Sequence, residues 1–497
     1  MTQLKNVFCI VGVCLLSWTG SLRAQEWESV DDSMLTERER IRRSDYEVSV
    51  RANRGEWQSA KVVGALVSNI DRRGPDGNRG PNGTDTLGRV RTLMSVAMFT
   101  DGFNARGTNR VEVKVRRQGA PFREVQIRPT AYRIKTKRLD GQTVSFRLYP
   151  WQKVSVEFDG DRDHNLFVFP DLPAEKPASD DNLIYFGPGE HEAGLITMHS
   201  GQTLFLDEGA IVYGRIEARE AEHIRIQGRG ILCGSGSVHD FTRRKSLIYM
   251  HLCRDIEVEG IFFRGSPSWS LCFSGCDQLR MENIKQVCWM RNSDGIDLLN
   301  SRHVLIRNSF LRNYDDNISL KNFSSPTGRT TSDITMTGCT LWADCAHNLL
   351  VGPETKPELA MDSVLFEDIH ILEARETSWP WRGAMAVMGS DEGTFRHVTF
   401  RHIWLDHTRG GQMFAVEICP YNTSGRHIED VRFQHIHFMG DDSKLPLSTI
   451  KGLDAERRVD GVSLQHVTVN GKAITPKNLT RFVETNEYAT DIKVKSR

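Results

Sequence analysis

The feature that most constrains this chain is a short repeat in its C-terminal two-thirds. A unit of the form apolar-x-apolar-polar-(Gly/Asn/Asp/His)-apolar recurs, as in Ile256-Glu257-Val258-Glu259-Gly260-Ile261, Leu279-Arg280-Met281-Glu282-Asn283-Ile284 and Val398-Thr399-Phe400-Arg401-His402-Ile403. It starts at Ile224, Ile256, Leu279, Val304, Ile334, Val364, Val398, Val431 and Val462, roughly every 20–35 residues, a solenoid period. The alternation has period two, which excludes helices. A unit this short cannot bury its apolar face alone; stacking the units buries it in one column. A propeller blade needs about four strands per ~40–50 residues, more than the shortest units hold. The repeat therefore predicts a parallel β-helix over residues 183–480, in an all-β chain.

Upstream, residues 46–172 read as a β-sandwich. Short alternating strands such as Arg110-Val111-Glu112-Val113-Lys114-Val115 imply one buried and one solvated face. Residues 72–88 are a loop rich in Gly, Pro, Asn and Asp, 173–182 a linker, and 481–497 a tail. Residues 1–24 have the pattern of a secretory signal: Lys5, an apolar run from Val7 to Trp18, and a cut near Ala24. A leader at 25–45 follows. The expectation is a secreted or periplasmic protein with no membrane span after cleavage, and a monomer. Lys+Arg and Asp+Glu are both 64, which argues against a nucleic-acid partner. Eight cysteines remain after the cut, mostly inside apolar runs, and read as free buried thiols. No His/Cys cluster points to zinc, and neither metal nor cofactor is expected.

Stacking turns spacing into geometry. A second strand per coil is marked by the apolar pairs Ile296/Leu298, Ile318/Leu320, Leu349/Val351 and Met385/Val387. Asp294, Asp316 and His347 stand two residues before the first three pairs, and Arg382 stands beside Gly383 before the fourth. One coil separates neighbours by ~4.8 Å, so these residues should form a column with Asp315 beside them, in an exposed groove. Carboxylates this close raise one another's proton affinity, and a glycosidase needs one protonated acid and one ionised base. Asp316 shares the parity of the inward Ile318 and Leu320, so a bend must precede that strand. Asp297, Ser319 and Lys321 have outward parity and are expected on the groove floor. Asn292, Trp269 and Tyr421 are further substrate-binding candidates; Trp289, Trp379 and Trp381 are weaker stacking candidates.

Asn292-Ser293-Asp294-Gly295 followed by Asp315-Asp316 resembles the Asn-Thr-Asp … Asp-Asp signature of polygalacturonases, glycoside hydrolase family 28. The layout of a sandwich before the β-helix is similar to the dextranase family 49, as are Cys339-Thr340-Leu341-Trp342 through His347 and Phe414 to Pro420. The resemblance implies that the parallel β-helix is right-handed. It also implies an inverting hydrolase of a polysaccharide or oligosaccharide, with Asp315 as general acid and Asp294 with Asp316 activating water. His347 stands near the place of the polygalacturonase histidine, in Ala346-His347-Asn348 rather than Gly-His-Gly. Arg382 replaces the arginine of the Arg-x-Lys motif, but Ala384 stands where the uronate-binding lysine belongs. Two alternatives stay open. One is a polysaccharide lyase with Ca²⁺ and a base such as Lys321 or Arg382; the other is a non-catalytic carbohydrate-binding solenoid.

Overall fold

The computed structural model describes residues 37–68, 91–234, 246–290, 292–323, 328–355, 360–375, 383–419 and 425–496. The signal segment and the loop at 72–88 lie outside the described residues. From Leu183 to Lys495, 31 strands form one continuous sheet; all but Lys472–Ala473, which pairs antiparallel, pair in parallel with an equivalent strand one coil away. One run of pairings is Leu271–Ser274, Ile296–Leu299, Ile318–Asn322 and Leu349–Thr355. This is the parallel β-helix; parallel crossovers are right-handed with few exceptions. The inward residues of every coil join one apolar column from Ile196 to Val483.

The polar or glycine position of the repeat has a single physical cause. Gly228, Gly260, Asn283, Asn308, Gly338, Asp368, His402, His435 and His466 all have positive φ, and eight of the nine have φ between 50 and 81°. Each coil turns a corner there, and only Gly or a residue such as Asn or Asp takes that conformation readily. A second left-handed corner lies just before each repeat, at His223, Asp255, Gln278, His303, Asp333, Ser363, His397, Asp430 and Gly461.

Residues 46–170 fold into two five-stranded sheets. One has Tyr46–Arg51, Val111–Arg117 and Thr143–Leu148 at its centre, all antiparallel. The other departs from a purely antiparallel sandwich, because Arg91–Phe99 and Leu166–Pro170 pair in parallel. Leu166–Pro170 and Val154–Phe158 are buried at every position. One face packs on the first sheet. On the other, Val63, Met94, Phe167 and Phe169 pack against Ile231, Phe262, Phe310 and Trp342 of the β-helix. Strands covered on both faces are continuously apolar rather than alternating, as in Leu166-Phe167-Val168-Phe169.

Residues 37–41 are a short helix whose Ile41 joins this seam. The expected tail after residue 480 is instead part of the solenoid: Val483–Thr485 and Lys493–Lys495 pair with Ser448–Lys451 and Arg458–Val469. All eight cysteines among the described residues are buried and stand outside disulfides. Among the described residues, no helix is long and apolar enough to cross a membrane.

Candidate active site

The aspartates stand at one corner of consecutive coils. Asp294 lies between strands Lys285–Cys288 and Ile296–Leu299, Asp315 and Asp316 between Phe310–Asn313 and Ile318–Asn322, and His347 between Thr340–Ala343 and Leu349–Thr355. The register pairs Ile296 with Ile318 and Ile318 with Leu349. Just before these pairs, Gly295 N donates to Asp316 O at 2.7 Å and Asn317 N to His347 O at 2.9 Å. Asp294, Asp316 and His347 are thus one inter-strand spacing apart, about 4.8 Å at the backbone.

The bend that Asp316 requires is present: Tyr314, Asp315 and Asn317 are bent residues ahead of Ile318. The Asp316 carboxylate consequently meets His347 rather than the lumen. Its Oδ1 accepts the His347 backbone N–H at 3.0 Å and lies 2.7 Å from the ring Nδ1. An ionised Asp316 fixes the tautomer with hydrogen on Nδ1.

A buried chain of amides holds this corner, and sequence reasoning missed it. Asn313 Nδ2 donates to Asn317 Oδ1 at 2.8 Å, Asn317 Nδ2 to Asn348 Oδ1 at 2.8 Å, and Asn348 Nδ2 to Glu373 O at 3.0 Å. Gln286 Nε2 donates to Gly295 O at 3.2 Å. The chain passes so close to Gly295 that a Cβ there would lie 2.4 Å from Asn317 O and 2.5 Å from Asn313 Nδ2, which explains a glycine directly after Asp294. The available signal was that Asn317 and Asn348 occupy equivalent places ahead of their apolar pairs.

Burial corrects the expectation of an open groove. Asp294 is 3% exposed, Asp316 8% and His347 3%, while Asp315 is partly exposed. Asp297, Ser319 and Lys321 do turn away from the lumen, but they are covered and form no open floor. Lys321 Nζ lies 3.3 Å from Asp294, 3.0 Å from Asp297 and 2.9 Å from Glu354. Glu354 is a second residue the sequence did not reveal. Trp269, expected to stack on a sugar, is buried and lies 3.7 Å beneath the Lys321 ammonium. Trp289 is buried where the sandwich meets the β-helix, with Leu66 and Leu93. Asn292 has φ 58° and is partly exposed beside Asp294. Arg382, Tyr421, Trp379 and Trp381 lie outside the described residues.

The electrostatics follow from five carboxylates around one lysine. Burial, then Asp297, pushes Asp294 well above the ordinary carboxyl range, with Lys321 opposing. Burial likewise pushes Asp297 up to about 6 against the pull of Lys321. Burial alone would lower Lys321, but Asp297, Asp294 and Glu354 outweigh it and hold the ammonium firmly charged. A lysine so held is no proton-abstracting base, which removes it from the lyase alternative. Asp294 Oδ1 and His347 Nε2 are buried without a hydrogen-bond partner among the described residues, so each keeps that capacity for a ligand. The one His/Asp/Glu group with metal-ligand spacing among the described residues, Glu367 with Asp368 and His402, includes none of these aspartates.

Residues 211–484 match the model of glycosyl hydrolases family 28. The chain belongs to that family. This family 28 protein is a glycoside hydrolase that acts on polysaccharides. Among solved structures, it resembles Dex49A from Penicillium minioluteum at a TM-score of 0.63 and 16% identity, over 92% of this chain and 95% of that one. That likeness spans both the sandwich and the β-helix and concerns the fold. A hyperthermoactive exopolygalacturonase from Thermotoga maritima aligns at a TM-score of 0.48 and 14% identity, over 63% of this chain and 84% of that one. A family 28 exopolygalacturonase from Yersinia enterocolitica aligns at 0.47 and 12%, over 77% and 96%. Among curated proteins, none matches the sequence.

Proposed function

We propose that this family 28 member is an exported enzyme that hydrolyses a polysaccharide or oligosaccharide with inversion, using Asp294, Asp315 and Asp316. The observation that carries the proposal is the pairing of Gly295 N with Asp316 O, which sets two carboxylates at one corner of adjacent coils with a third beside them. Asp315, the most open of the three, protonates the leaving oxygen. Asp316, facing the two His347 nitrogens, takes the proton of the attacking water. Asp294, whose proton affinity is raised by burial and by Asp297, orients that water. Asp316 is turned onto His347 while Asp315 stays partly exposed, so in this reading the two carboxylates face opposite sides of the scissile bond. That divergence suits the ~6.5–9.5 Å acid–base separation of inverting enzymes rather than the ~5–5.5 Å of retaining ones.

In this proposal residues 1–24 direct export, 46–172 form the sandwich, and 183–495 the catalytic β-helix of a monomer. The position of the uronate-binding lysine is Ala384, fully buried, so that position supplies no cation for a galacturonan. The substrate is to be found by screening plant, algal and microbial glycans. On that substrate Asp315→Asn should lower kcat by ~10²–10⁴-fold while calorimetric binding changes only a few-fold. Turnover within a few-fold of wild type would show that Asp315 is not the acid.

A further inference from the structure

The sheet of the sandwich that faces away from the β-helix carries an open trough of about 650 Å³. Seven cations line it: Arg51, which pairs with Glu112, and six others, Arg54, Arg110, Arg133, Lys135, Lys137 and Arg147. All six are exposed, and none is ion-paired among the described residues. The single carboxylate in the lining, Glu112, is occupied by Arg51 at 2.9 and 3.0 Å. The chain as a whole has zero formal net charge, so the six cations are a local concentration and not the overflow of a basic protein.

Aromatic rings flank the cations. Tyr132 is part of the trough wall and meets Trp151 edge-on at 5.7 Å. Trp151 stacks on Tyr149 at 5.6 Å and is 48% exposed. The Arg110 guanidinium lies 4.5 Å over Tyr149. Guanidinium and ammonium groups pair with carboxylate or sulfate oxygens, and an exposed indole offers a flat apolar face to the C–H face of a sugar.

We propose that this trough binds an acidic polysaccharide, with its carboxylate or sulfate groups on the arginines and lysines and a sugar face on Trp151. A nucleic-acid duplex would satisfy the cations but leave the indole unused, so the glycan is favoured. The loop bearing Arg133 and Lys135 is tied to the β-helix, because Asp406 accepts from Thr130 N at 3.0 Å and from Thr130 Oγ1 at 2.6 Å. A polymer held here is therefore held by the same rigid body that carries the aspartates, and the proposal does not depend on their roles.

The test is affinity electrophoresis of the full chain in native gels containing polygalacturonate, dextran sulfate, neutral dextran or duplex DNA, with mobility referred to a gel without polymer. Retardation is expected with at least one acidic glycan, weakening as salt rises, and not with neutral dextran; which acidic glycan acts separates carboxylate from sulfate recognition. The triple variant Arg133→Glu/Lys135→Glu/Arg147→Glu should bind at least ten-fold more weakly. Trp151→Ala, a surface change that leaves the fold intact, should bind several-fold more weakly. No retardation by either acidic glycan, undiminished binding in both variants, or retardation by DNA as strong as by the glycans would overturn the proposal.

Discussion

The corner that holds the aspartates and the seam between sandwich and β-helix both bury charge, with opposite results. In the seam most acids have a matching base; Asp406, held by Thr130, is an exception and is raised by burial. Arg128 meets Glu157 at 2.7 Å, Arg312 meets Asp344 at 3.0 Å beneath the Trp342 ring, and Lys285 pairs with Asp171. Glu373, which burial alone would raise, is held far below the ordinary range by His407, Arg162 and Arg375. At the aspartate corner acids outnumber bases, and Asp294 and Asp297 move upward. The three buried lysines show the same divide: Lys321 at the corner, and Lys153 and Lys285 in the seam, where burial pushes Lys285 down despite Asp171. Lys321, among carboxylates, is pushed up. Lys153 is pushed down to about 7 by burial and by Lys285. Burial by itself does not decide the direction; the local balance of charges does. The seam is neutralised and locks two bodies together, whereas the corner retains protons that chemistry can use.

The largest expected effect comes from removing the one cation of the corner. Lys321→Met leaves Asp294, Asp297 and Glu354 without their counter-charge, and breaking a buried pair in this way costs ~3–5 kcal/mol. Carboxylates with folded values above 3.8 contribute stability that is complete below that value and lost as pH rises through the folded one. The deficit should therefore be largest above about pH 6 and narrow toward pH 4.5. Denaturant unfolding at pH 5 and pH 8 measures it, and equal losses at both would break the comparison.

A smaller effect is expected from Asn317→Ala. It cuts the amide chain between Asn313 and Asn348 and leaves buried groups unsatisfied, a cost of about 1–3 kcal/mol. Because the chain sets the bend before Ile318, kcat should fall more than KM rises. Steady-state kinetics in which only KM changed would mean that the amides do not position Asp315 and Asp316.

The smallest effect belongs to the seam. Lys153→Met should change stability at pH 7 by no more than about 1 kcal/mol, since the lost bond to Asn308 is offset by relief of a buried ammonium. Wild-type stability should rise between pH 7 and pH 10, where the unfolded lysine binds a proton that the folded one does not. The variant should lose that slope in thermal melts across this range. An unchanged slope would show that Lys153 is charged in the folded state.

How far the sequence was legible depended on whether a residue's role showed in its spacing. The left-handed corner at Asn283, Asn308, His402 and His435 was visible because few residue types tolerate it. Its counterpart at Gln278, Ser363 and His397 was hidden by mixed residue types. Asp294, Asp316 and His347 could be aligned because they precede apolar pairs. Glu354 could not, because it lies beyond Val351 where the pairing shifts register. Parity placed Asp297 and Lys321 on the outer side of the strand but carried no information about what covers them. The amides escaped because Gln286 and Asn317 occupy places where an apolar pattern leads one to expect only hydrophobic residues.

The central claim is that Asp315 faces one side of the scissile bond while Asp316 and Asp294 hold water on the other. Proton NMR of the first product released from an α-linked substrate tests it most directly. The geometry predicts that the new reducing end appears first as the β anomer and then mutarotates. If the α anomer appears first, configuration is retained, and the assignment of acid and base to these three aspartates is contradicted.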